Sequence, residues 1–476
     1  MARRGGGLPA GWVLPHWADS GQPAGSRIAT AVGNVDSGVV ARIDPRGLVV
    51  PIDRGWSLDW WVCAEDGWHA AASEPAGRVH QLLLDDAPVV ETALRVPGGE
   101  VVHRVYAARA DAEVVVVEVE NRSHVPVALA LAVRPYDLAT TGTVKKVALA
   151  QHAIIVAGRH AIALPKPPAF AAAATGDVDV ADLVFAGTQQ RPGSVGEVRD
   201  RRGLASLAVV YPLPHTAVLR VAVAAGPVDV GRLPPADHVA RGWRAHSNTG
   251  TRVAVPDERL QSAVSASLAA LLLHADALAF DEPLVLGALE RWGFDHVAEE
   301  IAQRRGFCLP STGGFTVSED ALDLGHGGVL DQLAACVHAA SPTWTWPAAG
   351  AHPARAAAKL LLLVRAALVA ERAGGVDFWP EVDPSWLGQA VEVHDAPTSA
   401  GSLSCAVRWH GARPAVLWDG PGGVVLRAPA LDPTWSSTDA AGEALLAPVE
   451  PAGGLPKVYG GLPVPDGLDE PDRSFS

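Results

Sequence analysis

Positive charge is scarce along these 476 residues: 38 Lys and Arg stand against 52 Asp and Glu, a net charge of −14. The basic residues gather only in pairs, at Arg3-Arg4, Lys145-Lys146, Arg201-Arg202 and Arg304-Arg305. A nucleic-acid binder needs a basic stripe to displace counterions from phosphates, so that partner class is set aside. Cysteine is scarce too. Cys63, Cys308, Cys336 and Cys405 lie far apart and form no Cys-x-x-Cys, which argues against a disulfide framework or a cysteine metal site. Buried free thiols in a reducing compartment are the plain reading.

Long apolar runs are missing as well. No window approaches the roughly 20 residues needed to span a bilayer. The richest stretch, Ala356 to Ala370, is interrupted by Lys359 and Arg365. No apolar segment of signal-peptide length follows Arg3-Arg4, so the expected location is cytoplasmic, away from any membrane. There is no Gly-rich phosphate loop, nucleophile elbow or His/Cys cluster, and Gly325-His326-Gly327-Gly328 is too short to count as one. No cofactor and no metal are expected.

What is present is apolar bulk, 49% of the chain, enough for two or three cores. Residues 1–25 are Gly/Pro-rich and patternless, and read as a flexible arm. Residues 26–250 read as all-β. The run Glu113 to Glu120 is β-branched between charges, Val127 to Val133 alternates large with small, and turn signals such as Pro97-Gly98-Gly99 separate the strands. That spacing predicts a large two-sheet sandwich. At Pro256 the period changes. Asp257 and Glu258 open a helix whose Leu260, Val264, Leu268, Leu271 and Leu272 share one face. Further helices are predicted at 284–292, 296–304, 327–339 and 354–372, giving a helical domain over 251–378. Short strands return in a β-segment over 379–430, and 431–476 reads as a loop-rich tail.

Three stretches carry a family resemblance. They are Gly33-Asn34 through Trp61 with Glu91 to Arg95 and His103-Arg104; Asp257 to Gln261 with Ala288 to Phe294; and Trp386 to Gln389, Glu392 to Thr398 and Arg408 to Trp418. Together they resemble the six-hairpin (α/α-toroid) glycosidases of glucoamylase type, which carry an N-terminal β-domain. The resemblance implies a multidomain β + α fold: an N-terminal β-supersandwich, a shortened α/α-toroid-like helical domain and a C-terminal β-segment. It is shortened because six hairpins occupy over 200 residues, whereas only about 120 separate Pro256 from Gly375. The resemblance also implies a carbohydrate ligand.

Glycoside hydrolysis needs two carboxylates flanking the bond, about 5–5.5 Å apart for retention and 6.5–9.5 Å for inversion, one of them kept protonated. Acidic residues at the predicted loops are Asp281, Glu282, Glu319, Asp320, Asp323 and Glu381, with Asp383 beside the last. Each also has a plain reading. Asp281 and Glu282 sit where a helix cap would be, Glu319, Asp320 and Asp323 precede another helix, and Glu381 lies in a Pro-flanked linker. Trp344 and Trp346 are candidate sugar platforms with His326 a titratable neighbour, and Trp60-Trp61 and Trp68 are weaker ones. Arg408-Trp409-His410 with Arg413 is expected to fix the C-terminal strands. Three functions stay open: a saccharide-binding relative with reduced or lost catalytic machinery, an active glycosidase on a small α-glucoside, and a non-catalytic assembly scaffold, oligomeric if a second subunit covers an apolar wall.

Overall fold

The computed structural model describes residues 12–13, 29–35, 38–109, 111–138, 140–278, 283–304, 328–339, 353–372, 374–381 and 383–449. Its architecture is β + α, with β elements at both ends and helices between. Two antiparallel sheets open the chain. The first has eight strands; Ser57–Ala64, Val127–Arg134, Ser206–Leu213 and Phe170–Ala174 run side by side in it. The second has nine, among them Val218–Val223, Glu113–Asn121, Gly99–Arg109 and Val89–Val96. Alternation decides which side chains meet. Val115, Val117 and Val119 join Val62, Leu129, Leu131 and Val209 from the first sheet in the sandwich core. Val114 and Val116 point the other way, beneath the helices, so the unbroken valine run is covered on both faces.

The second sheet's outer face carries an ion ladder. Glu91, Arg104, Glu118 and Arg220 are opposite one another on four successive strands. Arg104 donates to Glu91 (2.7 Å), Glu118 (3.1 Å) and Glu120 (2.8 Å), and Arg220 donates to Glu118 at 2.8 Å. Arg220 Nη1 and Tyr106 OH also hold the carbonyls of Leu233 and Pro234, which fixes the chain's exit toward the helices.

The described helices are α1 (Val180–Phe185), α2 (Ala236–Ser247), α3 (Glu258–Leu278), α4 (Pro283–Arg291), α5 (Asp295–Arg304), α6 (Val329–Ala339) and α7 (Pro353–Leu368). Asp257 Oδ1 accepts from Leu260 N at 3.0 Å and so caps α3, whose expected apolar face is buried. The six-hairpin toroid implied by the resemblance is overturned here. The described helices form no ring of hairpins, and they sit among four separate sheets. At their centre is α7, buried almost all round and packed on α3, α4 and α6. A hub helix with neighbours on several sides is a layered core, not the wall of a barrel.

Two further corrections concern the C-terminal half. The helix expected to Arg372 stops at Leu368, because Val369–Arg372 pairs with Gly375–Phe378 as a hairpin across Gly374 (φ +82). The tail expected as loops from 431 holds strands Asp432–Ser437 and Ala441–Leu445, which complete a four-stranded and a five-stranded sheet. These two sheets face each other across Val376, Phe378, Leu403, Val407, Val416 and Leu426. No described helix is long and apolar enough to cross a membrane.

Candidate functional site

The junction of α4, α7 and the hairpin after it forms a cleft. Residue chemistry fixes each wall. Pro283 starts α4, where its missing N–H costs nothing. Gly293 (φ +81) ends the turn after it, with Gly293 N bonded to Glu290 O and Phe294 N to Leu289 O. This turns Trp292 inward, fully buried, with its Nε1 donating to Leu361 O of α7 at 3.1 Å. Gly250 lies against the same turn; a Cβ there would stand 2.2 Å from Trp292 O, so only glycine fits. Trp379 N donates to Leu368 O at 2.7 Å, and its ring lies 6.3 Å from that of Trp386. Asp383 Oδ1 accepts from Ser385 N at 2.8 Å and caps the short turn holding Trp386.

The cleft encloses about 250 Å³. Its floor is apolar, from Val329, Leu362, Ala366 and Val369, and its polar wall is Arg291, Arg365, Arg372, Glu371 and Glu381. Arg365 is buried. Its Nη1 donates to Val369 O and its Nη2 to Pro397 O, both at 2.6 Å, so the guanidinium is locked in orientation. Glu371 Oε2 accepts from Ser399 N at 2.9 Å and from Ser399 Oγ, tying the turn between two C-terminal strands to the cleft. Arg372 Nε stands 3.7 Å from Asp377, which also takes a 2.6 Å bond from Arg427. This mixture of forked donors, carboxylates and apolar floor can grip a small polyhydroxylated or acidic molecule.

Of the expected catalytic residues, only Glu381 lies within the described part of the chain. It is exposed and lines the cleft. Asp281, Glu282, Glu319, Asp320 and Asp323, with Trp344, Trp346 and His326, lie outside the described residues. Of the weaker platforms, Trp60 and Trp61 are excluded by burial, and half-buried Trp68 stacks on Phe185 with ring centres 5.7 Å apart. Trp60 is fully buried and stacks on His103 (4.7 Å, 13°) inside the sandwich, and Trp61 is equally buried. Burial alone pushes the His103 imidazole down to about 3. Arg413 donates to the carbonyls of Leu445 and Leu446, and Trp409 Nε1 to Gln389 O, so both fix C-terminal strands. Cys63, Cys336 and Cys405 are free thiols. Among the described residues no group of His, Cys, Asp or Glu could hold a metal ion.

Arg291, Arg365, Arg372 and Glu371 do not stand out in the sequence as site residues. Arg365 alone carries a signal, a charge inside a helix apolar nearly all round. Such a charge must find buried hydrogen bonds or a solvent cleft.

No family model matches the sequence. No curated protein matches it. Among solved structures, a bacterial glucoamylase complexed with acarbose aligns at 8% identity and a TM-score of 0.37, over 58% of this chain and 52% of the other. The chain thus spans about half of that enzyme. A human-microbiome protein provisionally assigned as a kojibiose phosphorylase aligns at 6% identity and a TM-score of 0.37, over 81% of this chain and 88% of the other. Likenesses at this level carry no weight in assigning an activity.

Proposed function

We propose that the chain is a saccharide-binding protein without hydrolytic activity of its own, and that the cleft between α4, α7 and the following hairpin receives the sugar. The observation that carries this reading is the cleft wall, where three arginines and two glutamates stand around an apolar floor. Arginine forks and carboxylates hydrogen-bond vicinal hydroxyls from fixed positions, and the apolar floor suits the C–H face of a pyranose. The same wall does not favour hydrolysis. Among the described residues of the wall, Glu371 is committed to Ser399, which leaves Glu381 as the one carboxylate there without that duty. Two carboxylates are needed, one as acid and one as base or nucleophile. The segment 386–418 borders the cleft through Pro397 and Ser399.

Saturation-transfer NMR on a panel of mono- and oligosaccharides, followed for a day at neutral pH, tests this. Transfer to at least one sugar without new anomeric signals is expected, and Arg372→Ala should weaken that transfer. New anomeric signals would make the protein a hydrolase, and silence across the panel would remove the saccharide reading.

A further inference from the structure

On the outer face of the first sheet, away from the cleft, Arg134 sits fully buried at the centre of a closed seat. Its Nη1 reaches Asp59 Oδ2 at 3.1 Å, and its Nη2 reaches Asp179 Oδ2 at 2.7 Å and Tyr136 OH at 2.9 Å. The guanidinium carbon lies 4.6 Å from the Tyr136 ring centre and 5.6 Å from that of Trp61. Into this seat drops a piece of chain distant in sequence. Val13 N donates to Asp179 Oδ2 at 2.7 Å, and Arg134 Nη1 donates to Val13 O at 2.5 Å. Trp12 is 7% exposed and sets its ring edge-on to Tyr136 at 6.3 Å.

Both backbone polar groups of Val13 are therefore met by side chains, and neither belongs to a strand ladder or a helix. That is how a protein recognises a peptide, by capturing the main chain with fixed polar groups and one aromatic anchor. The walls need no help from the segment, since Asp179 is already fixed as the cap of α1 through Ala181 N (3.1 Å). The seat also has polar groups to spare. Ser57 and Arg134 are opposite each other, with Ser206 next along the row, and Ser57 Oγ, Arg134 Nε and Ser206 Oγ are buried without a hydrogen-bond partner.

We propose that this seat is a peptide-binding site, filled in cis by Trp12–Val13 and able to take the same segment from a second copy of the chain. Reach permits the exchange. Residues 14–28 join Val13 to the start of the first sheet, and a chain of that length spans up to about 50 Å. The first strand, Thr30–Asn34, lies three to four strands from the seat, roughly 15–20 Å at strand spacing. A tether longer than its path is what segment exchange between copies requires.

The test uses full-length Trp12→Ala, which empties the anchor, and a synthetic peptide of residues 8–17. The variant should melt several degrees below the wild type, and the peptide should restore the melting temperature in proportion to its concentration. A peptide with Ala in place of Trp12 should not. Donor- and acceptor-labelled wild-type chains should then show energy transfer when concentrated together, lost on adding excess peptide. A folded Trp12→Ala that melts like the wild type, or that ignores millimolar peptide, overturns the site. Peptide rescue without energy transfer overturns the second copy as its occupant. Should Trp12→Ala fail to fold, Trp12→Leu with the same titration decides between the same outcomes.

Discussion

Two interior arginines, Arg134 and Arg365, are held by different means. Arg134 lies between the carboxylates of Asp59 and Asp179 and against aromatic faces, at a closed node of the first sheet. Arg365 is turned by the main-chain carbonyls of Val369 and Pro397 and stands in the wall of a cleft. A guanidinium buried with two carboxylates stiffens a fold, and removing it strands their charges. A guanidinium gripped by carbonyls is aimed, and removing it leaves those carbonyls without their donors. The sandwich half and the helix–hairpin junction therefore differ in what a single substitution should cost.

The largest effect is expected from Arg134→Met. Asp59 and Asp179 would be left buried without their cation, a loss of about 3–5 kcal/mol read as a fall in the urea midpoint. Arg365→Met should cost less, about 1–3 kcal/mol for two carbonyls losing their donors, while weakening sugar binding. An equal loss at both sites would erase the distinction.

The sandwich also sets the response to acid. The folded-state pKa of His103 is about 3, against 6.5 for the free group, so the unfolded chain takes up a proton that the folded chain refuses. Its contribution is complete above pH 6.5 and is lost as pH falls toward 3, up to about 4 kcal/mol. His103→Phe keeps the stack on Trp60 and should flatten this limb of a stability–pH curve. Asp44 acts with the opposite sign. Burial pushes its carboxyl up to about 7 from 3.8, so the folded state is penalised as pH rises from about 4 to 7. Asp44→Asn should remove that slope, leaving a steeper fall toward low pH. The smallest effect belongs to Arg408, half exposed and paired with Glu392 at 2.5 Å; Arg408→Ala should cost under about 1 kcal/mol.

How much of this was legible in the sequence follows from the range of the forces involved. The β-branched run at 113–120 and the leucine face of α3 declare themselves through local period, and both were found where expected. Ala441–Leu445 did not, because its pairing partner, Arg413–Asp419, lies outside any local window and the Gly- and Pro-rich stretch around it reads as a loop. Val369–Arg372 was lost in the same way, its helical composition outvoted by the hairpin partner across Gly374. Trp12 and Val13, in a patternless arm, are fixed by residues more than 100 positions away. The resemblance to glycosidases rested on local segments, and local segments do not fix how helices are arranged around one another. Of the candidate site, Glu381 was visible as an acidic residue at a domain junction. Of the arginines beside it, Arg365 carried a signal as a charge inside an apolar helix, whereas Arg291 and Arg372 did not, since arginines ordinarily face solvent.

The most direct measurement of the central claim is a calorimetric titration of the best-binding saccharide from the NMR panel into wild type and Arg365→Met, with the folded fraction of each checked by circular dichroism. The account expects a saturable isotherm for the wild type and at least a tenfold weaker one for the folded variant. Equal affinity for the two proteins would place the sugar elsewhere and contradict the assignment of the cleft.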